Sequence, residues 1–306
     1  MLLGCSDRRH PMITSPRSYR YKETLWGYIF ITPIMVGFLI FTLIPVVSSL
    51  YLSFTKYDGI TSPKWIGVTN YANLLHDADF LASLSHTLYF TLGTVPLGVL
   101  LALIVAIALN AKIRFMGAYR TAFFIPVVTS MVAVAQVWKW LYNTDYGLIN
   151  AILARLNMYQ PEWLASIEWA MPAIIIMSIW KHLGFNMVIF LAGLQGISPA
   201  LYEAAKIDGA SGIKQFFYIT VPLLRHTTLF VVVMSIIGSF QVFDQIFVMT
   251  GGGPAKSTTV VVFWIYQNAF QFFKQGYASA MAYILFAIIF VVTLIQMRLA
   301  KSKDVY

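Results

Sequence analysis

Residues 198–222 read SPALYEAAKIDGASGIKQFFYITVP and form a polar stretch between two long hydrophobic runs. Ser198 can cap a first helix, and Ser211 can cap a second one. Gly209 tolerates the left-handed conformation that commonly ends a helix. Pro222 limits the second helix, because the residue before a proline disfavours helical backbone angles. The stretch therefore predicts two short helices with a bend at Gly209.

The rest of the chain has the composition of a membrane protein. Of its 306 residues 59% are hydrophobic and 11% are charged, and the mean hydropathy is +0.73. Soluble domains carry about 25% charged residues, so we predict an all-α polytopic membrane protein. Six runs are long and apolar enough to span a bilayer: 25–54, 87–109, 121–142, 169–194, 227–249 and 277–297. The first contains Pro33 and Pro45 and is expected to be kinked.

A further apolar run, 257–273, lies between the last two predicted spans. Its 17 residues are at the lower limit of the ~17–25 that a spanning helix needs. It carries Gln267, Asn268 and Gln271, and it follows a GGGP turn at 251–254. We predict an external or re-entrant helix here.

The distribution of the 21 lysines and arginines predicts the orientation. With six spans and a cytoplasmic N-terminus, fourteen lie in cytoplasmic segments, six in external segments and Lys181 within a span. This matches the positive-inside rule, whereas a seventh span would place the basic tail 299–306 outside. We predict a cytoplasmic arm 1–24, a membrane domain 25–298 with 198–222 in the cytoplasm, and a cytoplasmic tail. Topology thus accounts for the net charge of +9, and we predict no nucleic-acid partner.

The chain lacks the sequence motifs of catalytic and metal sites. It contains no G-x-x-x-x-G-K-[ST], no H-E-x-x-H and no G-x-S-x-G, which are motifs of phosphate binding, zinc hydrolysis and acyl transfer. The single cysteine, Cys5, excludes an internal disulfide and a cysteine metal site. The LLGC at 2–5 resembles a lipoprotein cleavage box, but no basic region and apolar core precede it. We predict no enzyme activity, no catalytic residue, no metal and no cofactor in this chain.

The polar stretch carries a family resemblance. EAA at 203–205, followed by Gly209, Ile219 and Pro222, resembles the coupling loop of permease subunits of bacterial ABC importers. KIDGA at 206–210 is similar to the carbohydrate-uptake branch, of the maltose and glycerol-phosphate type. Val221 stands where the family usually has leucine, an apolar residue for an apolar residue. By this resemblance the residues that couple to the ATPase are Glu203, Ala204, Ala205, Asp208, Gly209, Ile219 and Pro222.

The resemblance also implies an assembly. The chain would be one permease of a heterodimer in a bacterial cell membrane, surrounded by lipid, with both termini in the cytoplasm. An ATPase dimer would bind ATP and Mg²⁺, and an extracytoplasmic solute-binding protein would deliver a sugar. The coupling loop would move as a rigid body when the ATPase closes. An ordinary amphipathic loop helix is the alternative.

Polar side chains inside spans are expensive and usually face a cavity or one another. Those in the predicted spans are Gln136, Lys181, His182, Asn186, Gln241, Asp244 and Gln245. Planar polar groups and aromatic faces together bind sugars, so we predict substrate contacts at Asn186, Gln241, Phe243, Asp244 and Gln245. The stretch 239–254 also resembles the sugar-permease branch. Hydrogen bonding between helices is the alternative for each residue, and Lys181 could pair with Asp244.

Three polar segments, 55–86, 143–167 and 250–276, are predicted external loops where a binding protein would dock. Trp65, Tyr159 and Trp163 are candidate contacts or lipid-interface anchors, and a short helix is expected near 71–84. Three other functions remain: an ABC permease for a non-sugar solute, a secondary transporter and a membrane enzyme. A secondary transporter would need an internal repeat and an ion site, and we find no such repeat.

Overall fold

The computed structural model describes residues 17–111 and 114–301. The predicted arm up to residue 16, Lys112 and the tail from residue 302 lie outside the described residues. The helices are α1 (Arg17–Phe38), α2 (Ile44–Ser53), α3 (Thr69–Leu74), α4 (Ala78–Asn110), α5 (Met116–Val128), α6 (Met131–Leu141), α7 (Leu148–Arg155), α8 (Ile167–Gln195), α9 (Pro199–Ile207), α10 (Gly212–Gln215), α11 (Val221–Leu223), α12 (Arg225–Phe240), α13 (Asp244–Met249), α14 (Val261–Tyr266) and α15 (Gln275–Lys301). Strands β1 (Thr55–Lys56) and β2 (Lys64–Trp65) form one antiparallel pair, so the described fold is otherwise helical.

The chain divides into two compact units, residues 1–51 and 52–306. In the first unit, α1 and most of α2 are joined by a π-helical turn at Leu39–Leu43. This turn lies between Pro33 and Pro45, where a helix loses backbone donors. The predicted first span is confirmed as a continuous apolar segment, Glu23–Ser53, of 31 residues.

Three further helices are each long and apolar enough to cross a membrane: α4, α8 and α15. They contain the predicted spans 87–109, 169–194 and 277–297. α4 begins earlier than its apolar run, because the Asp77 carboxylate accepts the backbone N–H groups of Asp79 and Phe80 and caps it. The single external helix predicted near 71–84 is therefore wrong: α3 ends at Leu74, and residues from Ala78 onward belong to α4.

The other two spans are not straight helices. α5 and α6 together have the length and hydropathy of a span, but they are bent by 99°. The segment Gly212–Leu223 and α12 are bent by 66°. The predicted span 227–249 is also interrupted, because α12 ends at Phe240 and α13 starts at Asp244. The described residues thus provide four spans, or up to six if each bent pair is one span.

The run 257–273 forms the short helix α14 and a π-helical turn at Gln267–Gln271. Val261 is fully buried, and its backbone N–H donates to the Thr87 hydroxyl of α4 at 3.0 Å. The six residues of α14 are far fewer than a span requires. Among the described residues this run provides no seventh span, as the sequence predicted.

The core of residues 52–306 consists of three apolar clusters. The first includes Phe90 and Ile174, where α4 and α8 pack beside α6 and α13. The second includes Phe190 and Val231, where α8 meets α12. The third includes Met281, where α15 packs against α14. The coupling loop, residues 198–222, connects α8 to α12, and both helices pack with α4 in the second cluster.

Candidate functional site

The coupling loop is a helix, a glycine bend and a second helical segment, as the sequence predicted. The prediction that this segment stops before Pro222 is wrong, because Val221 keeps helical backbone angles and α11 continues to Leu223. α9 starts at Pro199, where the missing backbone N–H has no consequence. Gly209 has φ +74°, and the N–H of Ala210 donates to the Ala205 carbonyl at 2.8 Å. This bond is typical of a helix end with glycine in the left-handed conformation. Gly209 therefore ends α9 and turns the chain.

The two serines of the loop differ in their capping role. The Ser211 hydroxyl accepts the backbone N–H of Lys214 at 3.4 Å, so Ser211 caps α10 as predicted. Ser198 occupies the N-cap position of α9, but its side chain makes no capping hydrogen bond. The prediction that the Ser198 side chain caps α9 is wrong, and Pro199 alone accounts for the start of that helix.

The loop is fastened to the ends of the long helices. The hydroxyls of Tyr202 and Thr220 lie 3.0 Å apart and are hydrogen-bonded, which joins α9 to the second helical segment. Tyr202 and Ile219 pack against the apolar cluster that contains Leu109 and Leu194, at the ends of α4 and α8. A displacement of the loop would therefore be transmitted to both helices.

The outward side of the loop exposes apolar side chains. Ile207 is 88% exposed, Ile213 is 73% exposed and Tyr218 is 81% exposed. The loop also forms a groove of about 370 Å³, which is lined by Ala205, Ala210, Lys214, Gln215, Tyr218 and Ile219. Large exposed apolar side chains on a polar loop are typical of a protein interaction site.

The predicted coupling residues occupy this loop with different exposures. Glu203, Ala204, Asp208 and Gly209 are exposed on α9 or at its end, and Pro222 is exposed in α11. Ala205 and Ile219 are half-buried and line the groove. The acidic and small side chains thus lie at the surface, where a partner could reach them.

A second candidate site is a cavity of about 200 Å³ between α4, α8 and α12. The Asn186 amide, on α8, donates to the Ser235 hydroxyl of α12 at 3.3 Å. The Gln245 amide, on α13, donates to the Ser178 hydroxyl of α8 at 3.4 Å. The cavity therefore combines uncharged polar groups with apolar walls, a composition common to small-molecule sites.

The structure brings together only part of the predicted substrate site. Asn186 and Gln245 line the cavity, whereas Gln241 and Asp244 are exposed on the surface of this chain. Phe243 is half-buried and stacks on Phe247 with ring centroids 5.5 Å apart. Within this chain the five residues do not line one cavity, because the helix breaks at residues 241–243 and changes the direction of the side chains.

Two cavity residues, Ser178 and Ser235, were missed by the sequence analysis. Ser178, His182 and Asn186 are spaced four residues apart on α8, and all three line the cavity. Residues at this spacing share one face of a helix. The periodicity of polar residues within the apolar run was the signal for Ser178, while Ser235 had no such signal.

Lys181 has a different role from the one considered above. It is 5% exposed, and its ammonium donates to the backbone carbonyls of Pro126, Val127 (3.0 Å) and Thr129 (2.7 Å). These carbonyls lie where α5 ends. The suggested ion pair of Lys181 with Asp244 is therefore not formed, and the lysine instead stabilises the broken end of a helix.

Gly184, on the same face of α8, allows this contact. A Cβ at Gly184 would lie 2.0 Å from the Phe123 carbonyl oxygen of α5, a distance that no side chain tolerates. The close approach of α5 and α8 brings the Lys181 ammonium within reach of its acceptors. Small residues allow similar close packing between membrane helices generally.

The three aromatic residues proposed for the external loops also differ. Trp65 is 63% exposed and stacks on Phe54, and Tyr159 is 74% exposed. Trp163 is half-buried, and its indole N–H donates to the Asn150 side-chain oxygen at 2.8 Å. Trp163 thus has a structural role within its loop, and the other two remain available at the surface.

Comparison with known proteins identifies the family. The model of the family described as binding-protein-dependent transport system inner membrane component matches residues 71–305. The chain belongs to this family. It is 40% identical over 284 residues to the probable ABC transporter permease protein YesP of Bacillus subtilis (strain 168), covering 91% of each chain. It is 34% identical over 295 residues to the lactose transport system permease protein LacF of Rhizobium radiobacter, covering 95% of this chain and 99% of LacF.

A solved structure has the same fold. One chain of the bacterial ABC transporter involved in the import of the acidic polysaccharide alginate superposes with a TM-score of 0.83 and 24% identity, covering 94% of this permease and all of that chain. The protein is thus a multi-pass inner-membrane permease component of an ABC transporter, and the ATPase belongs to another subunit. Family membership excludes a secondary transporter and a membrane enzyme.

Proposed function

We propose that this permease imports a sugar, which a solute-binding protein delivers on the outer side. The observation that carries this proposal is the cavity between α4, α8 and α12. Its described lining contains amides, hydroxyls and the rings of Phe90 and Phe185, but no Asp, Glu, Lys or Arg. Uncharged donors and acceptors beside aromatic faces suit a neutral polyhydroxylated solute. The similarity to LacF, named as a lactose permease, supports the same solute class.

The translocation path is completed by a second permease chain. Gln136 is exposed on α6, and Gln241 and Asp244 are exposed at the break between α12 and α13, within the predicted span 227–249. Polar side chains facing lipid are costly, so a partner permease covers them. The path then runs along the interface, with Asn186 and Gln245 on one side and Gln241 and Asp244 closer to the partner. Phe243 contributes an aromatic face at the break between α12 and α13.

The coupling loop binds the ATPase in the cytoplasm. The positive-inside rule supports this orientation, with both termini and residues 198–222 on the cytoplasmic side. Glu203 and Asp208 provide acceptors, Ala204 and Ala205 allow close approach, and Gly209 sets the bend. Closure of the ATPase dimer around ATP and Mg²⁺ displaces α9. The Tyr202–Thr220 hydrogen bond and the contacts of Ile219 carry that displacement to α4 and α8.

Uptake by the assembled transporter tests the coupling role. We expect Glu203→Lys and Gly209→Pro to reduce sugar uptake by at least about tenfold, since interface hot spots each contribute ~2 kcal/mol or more. The transporter is reconstituted in vesicles, and labelled sugar uptake and ATP hydrolysis are measured together. Glu23→Lys, at an exposed position outside the coupling loop and outside the predicted docking segments, is the matched control and retains uptake. Unaltered uptake in both loop variants would reject the coupling role.

The solute class is tested by competition. A panel of neutral monosaccharides and disaccharides, amino acids and short peptides competes for uptake of a labelled sugar in the same vesicles. We expect only sugars to compete, and Gln245→Ala to change their order of preference. Competition by amino acids or peptides, with none by any sugar, would favour a permease for a non-sugar solute.

A further inference from the structure

A second pocket lies apart from the cavity described above. It has a volume of about 860 Å³ and is enclosed by the β1–β2 hairpin, α3 and the segment that leads into α15. Pockets that bind small molecules commonly measure ~300–1,000 Å³. None of its lining residues also lines the cavity between α4, α8 and α12. In the proposed topology this pocket opens on the outer side.

Three lysines without partners line this pocket: Lys56, Lys64 and Lys274. All three are exposed, and none of their ammonium groups forms an ion pair or a side-chain hydrogen bond with the part of the chain that the structure describes. Lys256, nearby, differs: its ammonium pairs with both carboxylate oxygens of Asp79 at 2.8 and 2.9 Å. With Lys256 included, four lysines and three aspartates, Asp58, Asp77 and Asp79, surround the pocket and give it a formal net charge of +1.

Two of these lysines face each other across the hairpin. Lys56 and Lys64 are directly opposite partners in the β1–β2 pair. Like charges at such positions destabilise a strand pair, because their Cβ atoms are only about 5 Å apart. A single anion between the two ammonium groups would convert this repulsion into attraction.

The acidic side chains of the pocket are already engaged. Asp58 accepts the backbone N–H groups of Ile60 and Thr61 at 2.9 and 2.8 Å, which hold the pKa of its carboxyl at about 2. Asp77 accepts the Tyr277 hydroxyl at 2.7 Å and caps α4. These carboxylates stay negatively charged, but their hydrogen bonds are formed within their own turn or helix and with Tyr277. Among the described residues neither forms an ion pair with Lys56, Lys64 or Lys274, so these three ammonium groups remain available to a ligand.

Aromatic side chains form another part of the pocket wall. Phe272 is 47% exposed and Phe273 is 56% exposed, and both line the pocket. The backbone N–H of Gly276 donates to the Tyr57 carbonyl at 3.1 Å. This bond holds the hairpin beside the start of α15, so the backbone segments that carry the rings and the lysines are joined.

We propose that this pocket binds a sugar acid, with its carboxylate among Lys56, Lys64 and Lys274 and its ring against Phe272 and Phe273. Lysine ammonium groups form charge-assisted hydrogen bonds with carboxylates, and exposed rings provide the apolar face that a sugar ring contacts. The choice of a sugar for the uncharged part of the ligand rests on the proposed function. The anion site itself does not depend on which solute is transported.

Binding to the purified transporter tests this assignment. Calorimetry with galacturonate, and with galactose as the neutral analogue, is performed on the complex in detergent. We expect galacturonate to bind about tenfold or more tightly than galactose, because its carboxylate adds charge-assisted hydrogen bonds to the lysines. Its affinity falls as salt is raised, since exposed charges are screened.

Single charge removals locate the site. Lys56→Gln, Lys64→Gln and Lys274→Gln each weaken galacturonate binding by about tenfold. Arg155→Gln, which removes a cation from an exposed external position outside the pocket, leaves it unchanged. The thermal midpoint of each variant is measured alongside, and Lys56→Gln is expected not to lower it, because it removes a repulsion.

Three results would overturn the proposal. They are an absence of galacturonate binding, equal binding of galactose and galacturonate, and binding that the lysine substitutions do not alter. A hexaglutamate peptide is tested in parallel, and binding of the peptide without galacturonate would assign the pocket to a protein partner. This experiment measures binding, whereas the transport function is tested by uptake, so the two proposals can fail independently.

Discussion

The break between α5 and α6 and the break between α11 and α12 are closed by different side chains. At the first, the Lys181 ammonium binds three carbonyls at the end of α5. At the second, Leu224 is 1% exposed and fills the bend with an apolar side chain. Here the backbone bonds continue, since the Leu224 N–H donates to Thr220 at 2.9 Å and the Leu224 carbonyl accepts from Thr228 at 2.7 Å.

The predicted topology places the first break within the span 121–142 and the second beside the cytoplasmic loop, so we expect different solvents around them. Within a bilayer no water can satisfy a carbonyl that a helix break releases, so the protein must supply the donor. Next to the coupling loop the helix continues through a bend, and the remaining requirement is packing. A cation is thus needed at the first break and an apolar side chain at the second. The predictions below test this contrast, in order of decreasing effect.

The largest effect is expected at the first break. Lys181→Met retains most of the side-chain volume but removes the ammonium donor from the part-buried carbonyls of Val127 and Thr129 and one of two donors from the carbonyl of Pro126. Each lost charged hydrogen bond costs ~1–3 kcal/mol. We expect the free energy of unfolding to fall by about 3–5 kcal/mol. Lys139→Met is the control, because Lys139 is exposed and donates to one carbonyl, that of Val248, at 3.3 Å. Thermal unfolding in detergent compares them, and equal losses would contradict a special role for Lys181.

A smaller effect is expected from the apolar side chain at the second break. Leu224→Ala removes a buried side chain from the cluster at the ends of α4 and α8, and we expect a loss of about 2–4 kcal/mol. Leu223→Ala, at a neighbouring position that is 49% exposed, should cost about 0.5 kcal/mol. The same unfolding measurement applies. If both variants lose equal stability, Leu224 does not fill the bend.

The smallest effect concerns the hydrogen bond that fastens the coupling loop. Tyr202→Phe removes the hydroxyl that bonds to Thr220, at a cost of ~1 kcal/mol. We expect the amides of α9 to exchange with solvent about fivefold faster, because local opening becomes easier. Tyr218→Phe, at a position that is 81% exposed, is the control. Hydrogen exchange monitored by mass spectrometry measures these rates. Identical exchange rates of the α9 amides in both variants would show that the Tyr202–Thr220 hydrogen bond does not stabilise the loop.

The sequence alone determined the helical class, the apolar runs and the bend at Gly209. Each of these depends on properties of a short stretch of chain. They are the hydrophobicity along one helix and the left-handed backbone angle that glycine tolerates. The coupling loop was recognisable for the same reason, since its spacing is local. Family membership then followed from the order of residues along the chain.

The tertiary structure decided what no local pattern contains. Lys181 and its acceptors are more than 50 residues apart along the chain, so only the packing of α5 on α8 identifies its partners. The dispersal of the predicted substrate residues follows from a helix break at residues 241–243. The lysine pocket joins a hairpin near residue 60 to the start of α15. Such sites depend on which helices meet, and that depends on side-chain packing across the whole membrane domain.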